Sequence, residues 1–115
     1  VPGASRTVDV ATAELEAWPL EAEQVVQGAP AVSGLVLDTS PDGRVERGIW
    51  QHTPGVSRDV EADELFVVLS GRATVAVEGG EVLELAAGVA GLFRAGDRTL
   101  WAVRETLRKI YQTTN

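Results

Sequence analysis

Cysteine is absent from the 115 residues, which excludes a disulfide framework, a thiolate metal site and a thiol nucleophile together. A single histidine, His52, excludes any site built from two or three imidazoles of one chain. Basic residues are scarce too, ten against seventeen acidic ones, giving a formal charge of −7 and an isoelectric point near 4.6. That sign is unsuited to nucleic acid or an anionic membrane, since both are held by cationic side chains. The longest apolar run, residues 85–93, is far short of the ~20 residues that a bilayer-spanning helix needs. Residues 1–9 lack the charged-then-apolar layout of a signal peptide, and no methionine precedes Val1, which reads as a trimmed or tagged chain. No glycine-rich loop leads into a Lys-Ser or Lys-Thr pair, and no Gly-x-Ser-x-Gly elbow occurs, so two common catalytic templates are excluded. Repeats and low-complexity tracts are missing as well. The expectation is a cytoplasmic protein with neither nucleic acid nor membrane as partner.

What remains is a globular composition, 44 % hydrophobic and 23 % charged, in a chain of one domain's length. Helix chemistry is confined to residues 12–18, where Thr12 can cap, Glu14 and Glu16 suit a first turn, and Pro19 ends whatever begins. This predicts an N-terminal arm, residues 1–32, packing with a turn or two of helix on a barrel formed by residues 33–115. From residue 33 onward, short apolar runs recur at intervals of roughly ten residues. Residues 33–39 and 44–51 flank Ser40-Pro41-Asp42-Gly43, a type I turn with Gly43 in the left-handed position. Thr53-Pro54-Gly55 breaks the second strand, and a polar loop is expected from there to Asp63. Residues 64–69 form the next strand. Residues 73–78 and 81–85 flank Gly79-Gly80, which predicts a primed two-residue turn pairing Val77 with Val82 and Val75 with Glu84. Runs at 89–93, 99–103 and 107–112 complete an all-β pattern of sandwich or barrel type.

The order of motifs resembles a known family. Glu64, six residues, then Gly71 is similar to the end of the first cupin motif, and Gly88, seven residues, then Gly96 to the skeleton of the second. Gly48-Ile49-Trp50, Thr53-Pro54-Gly55, Asp63-Glu64, Trp101 and Arg108-Lys109-Ile110-Tyr111 stand around them. Residues 33–111 thereby resemble the small cupins grouped with the (S)-ureidoglycine aminohydrolase cupin domain. The resemblance implies a double-stranded β-helix, the cupin jelly-roll barrel. Metal-binding cupins carry His-x-His before the glutamate and another histidine in the second motif. Here Arg58 and Val60, or Ser57 and Asp59, take the first pair, and Thr99 takes the later position. Glu64 alone survives from the ligand set, so the resemblance implies a barrel with neither metal nor other cofactor.

Glu64 shares a strand face with Phe66 and Val68, and in the resembling cupins this glutamate points inward. It reads either as an acid/base or anchor for a bound amine or hydroxyl, or as half of a structural ion pair. Lys109 shares a face with Leu107 and Tyr111 and is the natural partner of Glu64 if that face turns inward. The other possibility is an ordinary solvent-facing lysine. A lysine so buried can form a Schiff base with a carbonyl compound. Trp50 and Trp101 read as pocket walls or as core, and Trp101 shares its face with Thr99. His52 is a candidate proton carrier beside Trp50, or simply a hydrogen-bonded strand-end residue. Trp18 should cover one end of the barrel.

The candidate ligand-binding set is therefore Trp50, His52, Glu64, Thr99, Trp101, Lys109 and Tyr111, with Glu64 and Lys109 as the catalytic candidates. Three functions follow in order. The first is metal-free binding of a small polar metabolite. The second is a metal-independent enzyme on a small nitrogenous or carbonyl compound, as the aminohydrolase resemblance implies. The third is a structural dimeric module. A homodimer is expected in each case, with residues 24–28 as the strand pairing across the interface.

Overall fold

Two long strands, each bent at its middle, organise the molecule. The computed structural model describes residues 3–115. In chain order the strands are β1 (Glu16–Ala17), β2 (Val25–Gln27), β3 (Val32–Thr39), β4 (Val45–His52) and β5 (Gly55–Val60). They continue with β6 (Asp63–Val77), β7 (Val82–Ala86), β8 (Ala90–Phe93) and β9 (Arg98–Thr114). β6 and β9 lie antiparallel along most of their length. The first half of β6 also pairs with β8, and its second half with β7. The second half of β9 also pairs with β4, and its first half with β5. One layer thus runs β1-β3-β4-β9-β6-β8 and the other β2-β5-β9-β6-β7, two faces of a jelly roll folded through the same two strands. This is the expected double-stranded β-helix.

The bend has a local cause. Register shifts cluster between Val68 and Ala73, and Gly71 sits among them at φ +96°. A β-carbon there would lie 2.2 Å from the Thr106 carbonyl oxygen, so only glycine lets the two strands cross this closely. Inward residues from both layers, among them Phe66, Val75, Phe93, Trp101 and Leu107, make one core.

The Ser40–Gly43 turn forms as expected, with the Gly43 N–H donating to the Ser40 carbonyl at 2.8 Å and Gly43 at φ +74°. Four expectations need correction. The arm has no helix over residues 12–18. Asp9 caps one isolated turn by accepting from the Ala11 and Thr12 N–H groups, and Glu16–Ala17 then pairs with β3. The only helix among the described residues is a 3₁₀ turn at Ala22–Gln24, closed by a capping box between Glu21 and Gln24. Residues 55–60 are a strand, β5, and not a loop. The runs at 99–103 and 107–112 are one strand, β9, and the run at 64–69 continues through Gly71 as β6. The Gly79-Gly80 hairpin is one residue out of the expected register, pairing Ala76 with Val82 and Val75 with Leu83. Its turn is wider, because the Gly80 N–H closes onto Val77 and the Val77 N–H onto Glu81. Val82 consequently faces solvent and Leu85 the core.

The arm does more than cover an end. Arg108 donates to the carbonyls of Val10, Ala11 and Ala13, holding that turn across the outer face of β4 and β9. Trp18 lies over Gly34, where a β-carbon would stand 2.0 Å from its ring. No helix among the described residues is long and apolar enough to cross a membrane.

Candidate functional site

Register brings the pocket's chemistry together at one end of the roll. Trp50 on β4 and Val68 on β6 both stand opposite Lys109 on β9, which turns the lysine inward. Its ammonium donates to Glu64 Oε2 at 2.7 Å, with side-chain exposures of only 4 % for Lys109 and 8 % for Glu64. Four rings surround that ammonium: their centres lie 4.4 Å away for Trp50, 4.7 Å for Phe66, 4.9 Å for Trp101 and 5.8 Å for Phe93. The electron-rich faces of the rings compensate part of the lysine's lost hydration, and Glu64 neutralises its charge.

Above the pair opens a pocket of about 190 Å³, walled by Trp18, Trp50, Trp101 and Tyr111 and by the carboxylates of Glu46, Asp59, Glu61 and Glu64. With a water occupying roughly 30 Å³ of liquid, this suits a molecule of a few non-hydrogen atoms. A larger depression of about 500 Å³ lies along Arg58, Val60, Arg98 and Leu100, all exposed; the buried polar residue it reaches is Thr99, whose hydroxyl is already engaged with Glu61.

Glu61 is the residue that sequence reasoning missed. It is 8 % exposed, and its Oε2 accepts from the Thr99 hydroxyl at 2.7 Å and the Trp101 indole N–H at 3.1 Å. Burial pushes its carboxyl above the usual range, and the neighbouring Asp59 adds to that, while Thr99, Lys109 and Trp101 oppose it. Among the described residues no donor meets Oε1 of Glu61 or Oε1 of Glu64, and neither oxygen is sealed in protein. Both carboxylates therefore offer one free oxygen to the pocket.

Tyr111 closes the opposite wall, its hydroxyl donating to Glu46 Oε2 at 2.7 Å. Burial, with Glu46 beside it, raises the phenol's pKa and keeps it protonated. Gly48 leaves room for this contact, since a β-carbon there would lie 2.6 Å from the Tyr111 oxygen.

Among the residues singled out from sequence, Glu64, Lys109, Trp50, Trp101 and Tyr111 converge on the pocket. Thr99 stands behind it, orienting Glu61. His52 does not reach it. Fully buried behind Trp50, its Nδ1 lies 2.7 Å from the Thr53 carbonyl oxygen and its Nε2 2.8 Å from the Ser57 hydroxyl. The carbonyl only accepts, so Nδ1 carries the proton and Nε2 accepts from Ser57. Burial lowers the His52 pKa and keeps the ring neutral. Both ring nitrogens are engaged, which leaves none free to carry a proton into the pocket.

A cupin metal does not fit this donor set. The ammonium of Lys109, 2.7 Å from Glu64, stands where a metal on that carboxylate would bind. Thr99, and in one of the two possible registers Ser57 and Asp59, stand where the histidines of metal-binding cupins would be; the Thr99 and Ser57 hydroxyls are hydrogen-bonded to Glu61 and His52, which leaves Asp59 the only carboxylate of the three. Among the described residues no group of three or more His, Asp or Glu side chains converges to hold an ion.

Residues 39–111 match the family described as EutQ-like cupin domain. The fold is similar to that of the EutQ protein of Clostridium difficile, with a TM-score of 0.72 and 19 % identity over 94 % of this chain and 85 % of that one. A Pseudomonas syringae protein of unknown function gives a TM-score of 0.78 and 22 % identity over 90 % of this chain, which spans only 45 % of that protein. Ectoine synthase from P. lautus gives 0.64 and 13 %, over 84 % of this chain and 67 % of the enzyme. No curated protein matches the sequence. At these identities the likeness speaks to the fold.

Proposed function

Because the chain belongs to the EutQ-like cupin domain family, we propose that its barrel serves as a metal-free binding site for a small polar metabolite. The observation that carries this is the Glu64–Lys109 pair, buried among four aromatic rings yet opening into an aromatic-walled pocket with free carboxylate oxygens. An ion pair kept only for structure has no need of a cavity beside it, and apolar residues of similar volume fill such a core as well or better. Convergent polar groups in a concave aromatic site are the usual form of a small-molecule site. Titration with a panel of small amines, polyols and carboxylates, followed by tryptophan emission, tests the reading. A saturable change from at least one compound is expected, and a flat response to every class contradicts it.

One observation favours turnover as a second reading. Glu61 holds its proton more tightly than an ordinary carboxyl and lies in the same pocket as an ammonium, an arrangement suited to proton transfer on a small nitrogenous compound. An aminohydrolase-like activity of the ureidoglycine type belongs to this second reading. Release of ammonia from a nitrogenous compound would separate it from simple binding. The homodimer is likewise part of the proposal. The strand β2 pairs with β5 on one side only and exposes Val25 and Val26, a free edge for a second copy of the chain. Light scattering showing a monomer over a wide concentration range would remove it.

A further inference from the structure

We propose that the pocket selects small primary ammonium compounds, held between the free carboxylate oxygens of Glu61 and Glu64 and the half-buried ring of Trp50. This rests on the reading of the pocket as a small-molecule site and names the class of ligand.

The walls already demonstrate their preference. Trp50 and Trp101 lie within 5 Å of an ammonium nitrogen that belongs to the chain itself. Ring faces attract cations and repel anions, so the same surfaces disfavour a carboxylate or phosphate ligand. Charge points the same way. Glu46 on β4, Asp59 on β5, Glu61 in the turn between β5 and β6, and Glu64 on β6 face the pocket, and Lys109 on β9 is the only cation among its lining residues. Lys109 takes Glu64 Oε2, and Tyr111 takes Glu46 Oε2. Among the described residues, Oε1 of Glu64, Oε1 of Glu61, Oε1 of Glu46 and Oδ2 of Asp59 are left without a donor, and the first two belong to the most buried carboxylates, where an unmet charge costs most. A primary ammonium brings three N–H donors and one positive charge, which meets both oxygens and offsets the acidic surplus. The volume of about 190 Å³ limits the rest of the ligand to a short chain.

Protons follow from the same geometry. Glu61 is held toward its neutral form by burial and by Asp59, and a bound ammonium beside Oε1 favours the carboxylate instead. The other titratable groups facing Glu61 are Glu46, Glu64, Lys109 and Tyr111. Binding then releases a proton wherever Glu61 starts out neutral, and affinity rises by up to about tenfold per pH unit in that range.

All three tryptophans of the chain, Trp18, Trp50 and Trp101, line this pocket, so intrinsic fluorescence reports on it directly. The intact protein is titrated with methylammonium and 2-aminoethanol, against acetate, ethylene glycol and tetramethylammonium, at several pH values. The expected result is saturation by the primary ammonium compounds at least about tenfold tighter than by any comparator. Their affinity should increase with pH in the wild type; in Glu61→Gln, where an amide NH2 replaces the free oxygen, it should be weaker and depend less steeply on pH. That variant retains its fold, because the glutamine carbonyl can accept from both Thr99 and Trp101. Equal or tighter binding of acetate or ethylene glycol would overturn the ligand class and leave the pocket reading intact. Equal binding of tetramethylammonium would show that ring faces alone select the cation and overturn the assigned role of the carboxylate oxygens. No response to any probe would count against both the class and the site.

Discussion

Lys109 reaches Glu64 across the inside of the roll at 2.7 Å, from the strand that ends the chain to the strand at its middle. The pair ties β6 to β9 with both side chains more than nine-tenths buried, so its removal is felt by the whole barrel. Removing one partner of such a pair typically costs about 3–5 kcal/mol. The two partners are not equivalent. Without Glu64 the ammonium keeps four ring faces, whereas without Lys109 the carboxylate loses its one hydrogen-bond donor among the described residues. In urea denaturation at neutral pH, Lys109→Met should be less stable than Glu64→Gln. The double variant Glu64→Leu/Lys109→Met should regain most of the loss. With Glu64→Leu and Lys109→Met as the single variants of the cycle, additive losses in the double variant would show that the pair is not coupled.

Glu61 sets a pH dependence whose sign is determined by the direction of its shift. Its folded pKa is raised, so the stability it contributes is full below the unfolded carboxyl value near 4.5 and is lost as pH rises through the folded value. Glu61→Gln removes the buried charge and keeps both hydrogen bonds. The variant should therefore match the wild type near pH 4 and exceed it at pH 8, as measured by thermal unfolding across that range. A variant less stable than the wild type at pH 8 would show that the carboxylate, not the carboxylic acid, is what this site prefers.

Trp18 can be moved without touching the pocket's charged groups. A β-carbon at Gly34 would overlap its ring, which is the free end of a side chain on the arm and can swing aside. Gly34→Ala should cost at the low end of the overpacking range, about 1 kcal/mol, and shift the tryptophan emission to the red as Trp18 meets water. Unchanged emission would place Trp18 somewhere other than over Gly34.

Metal content gives a check independent of ligands. With an ammonium beside Glu64, no imidazole in reach and Asp59 the one further carboxylate at a possible ligand position, the purified protein should hold far less than one transition metal per chain. Elemental analysis showing close to one iron, manganese, nickel or zinc would contradict the account of the donor set.

The inward set on β6 and β9 was legible because their alternation is regular, with Phe66 and Val68 on one parity and Leu107, Lys109 and Tyr111 on the other. The family resemblance then placed Glu64 and Lys109 on the same side. On β5 the pattern is reversed. Ser57 is buried and Asp59 lines the pocket while Arg58 and Val60 face out, so the segment reads as a polar loop and Glu61, which continues that parity, is hidden in it. The reversal goes with a strand end that lines a polar pocket, where Asp59 and Glu61 take positions that apolar residues hold elsewhere in the roll. The Asp59–Thr99 register would have drawn attention to Glu61, but pairings between segments forty residues apart are not visible in local chemistry. In the Gly79-Gly80 hairpin a turn of the wrong width was enough to displace the register by one.

The most direct measurement uses the three indole N–H signals of the protein in a proton–nitrogen correlation spectrum, followed as methylammonium is added. Those of Trp50 and Trp101 should move together along a saturable curve, and the Trp101 signal, hydrogen-bonded to Glu61, should also titrate with pH in the free protein. Shifts confined to the exposed surface around Arg58 and Arg98, with the Trp50 and Trp101 signals unmoved, would contradict the assignment of this pocket as the ligand site.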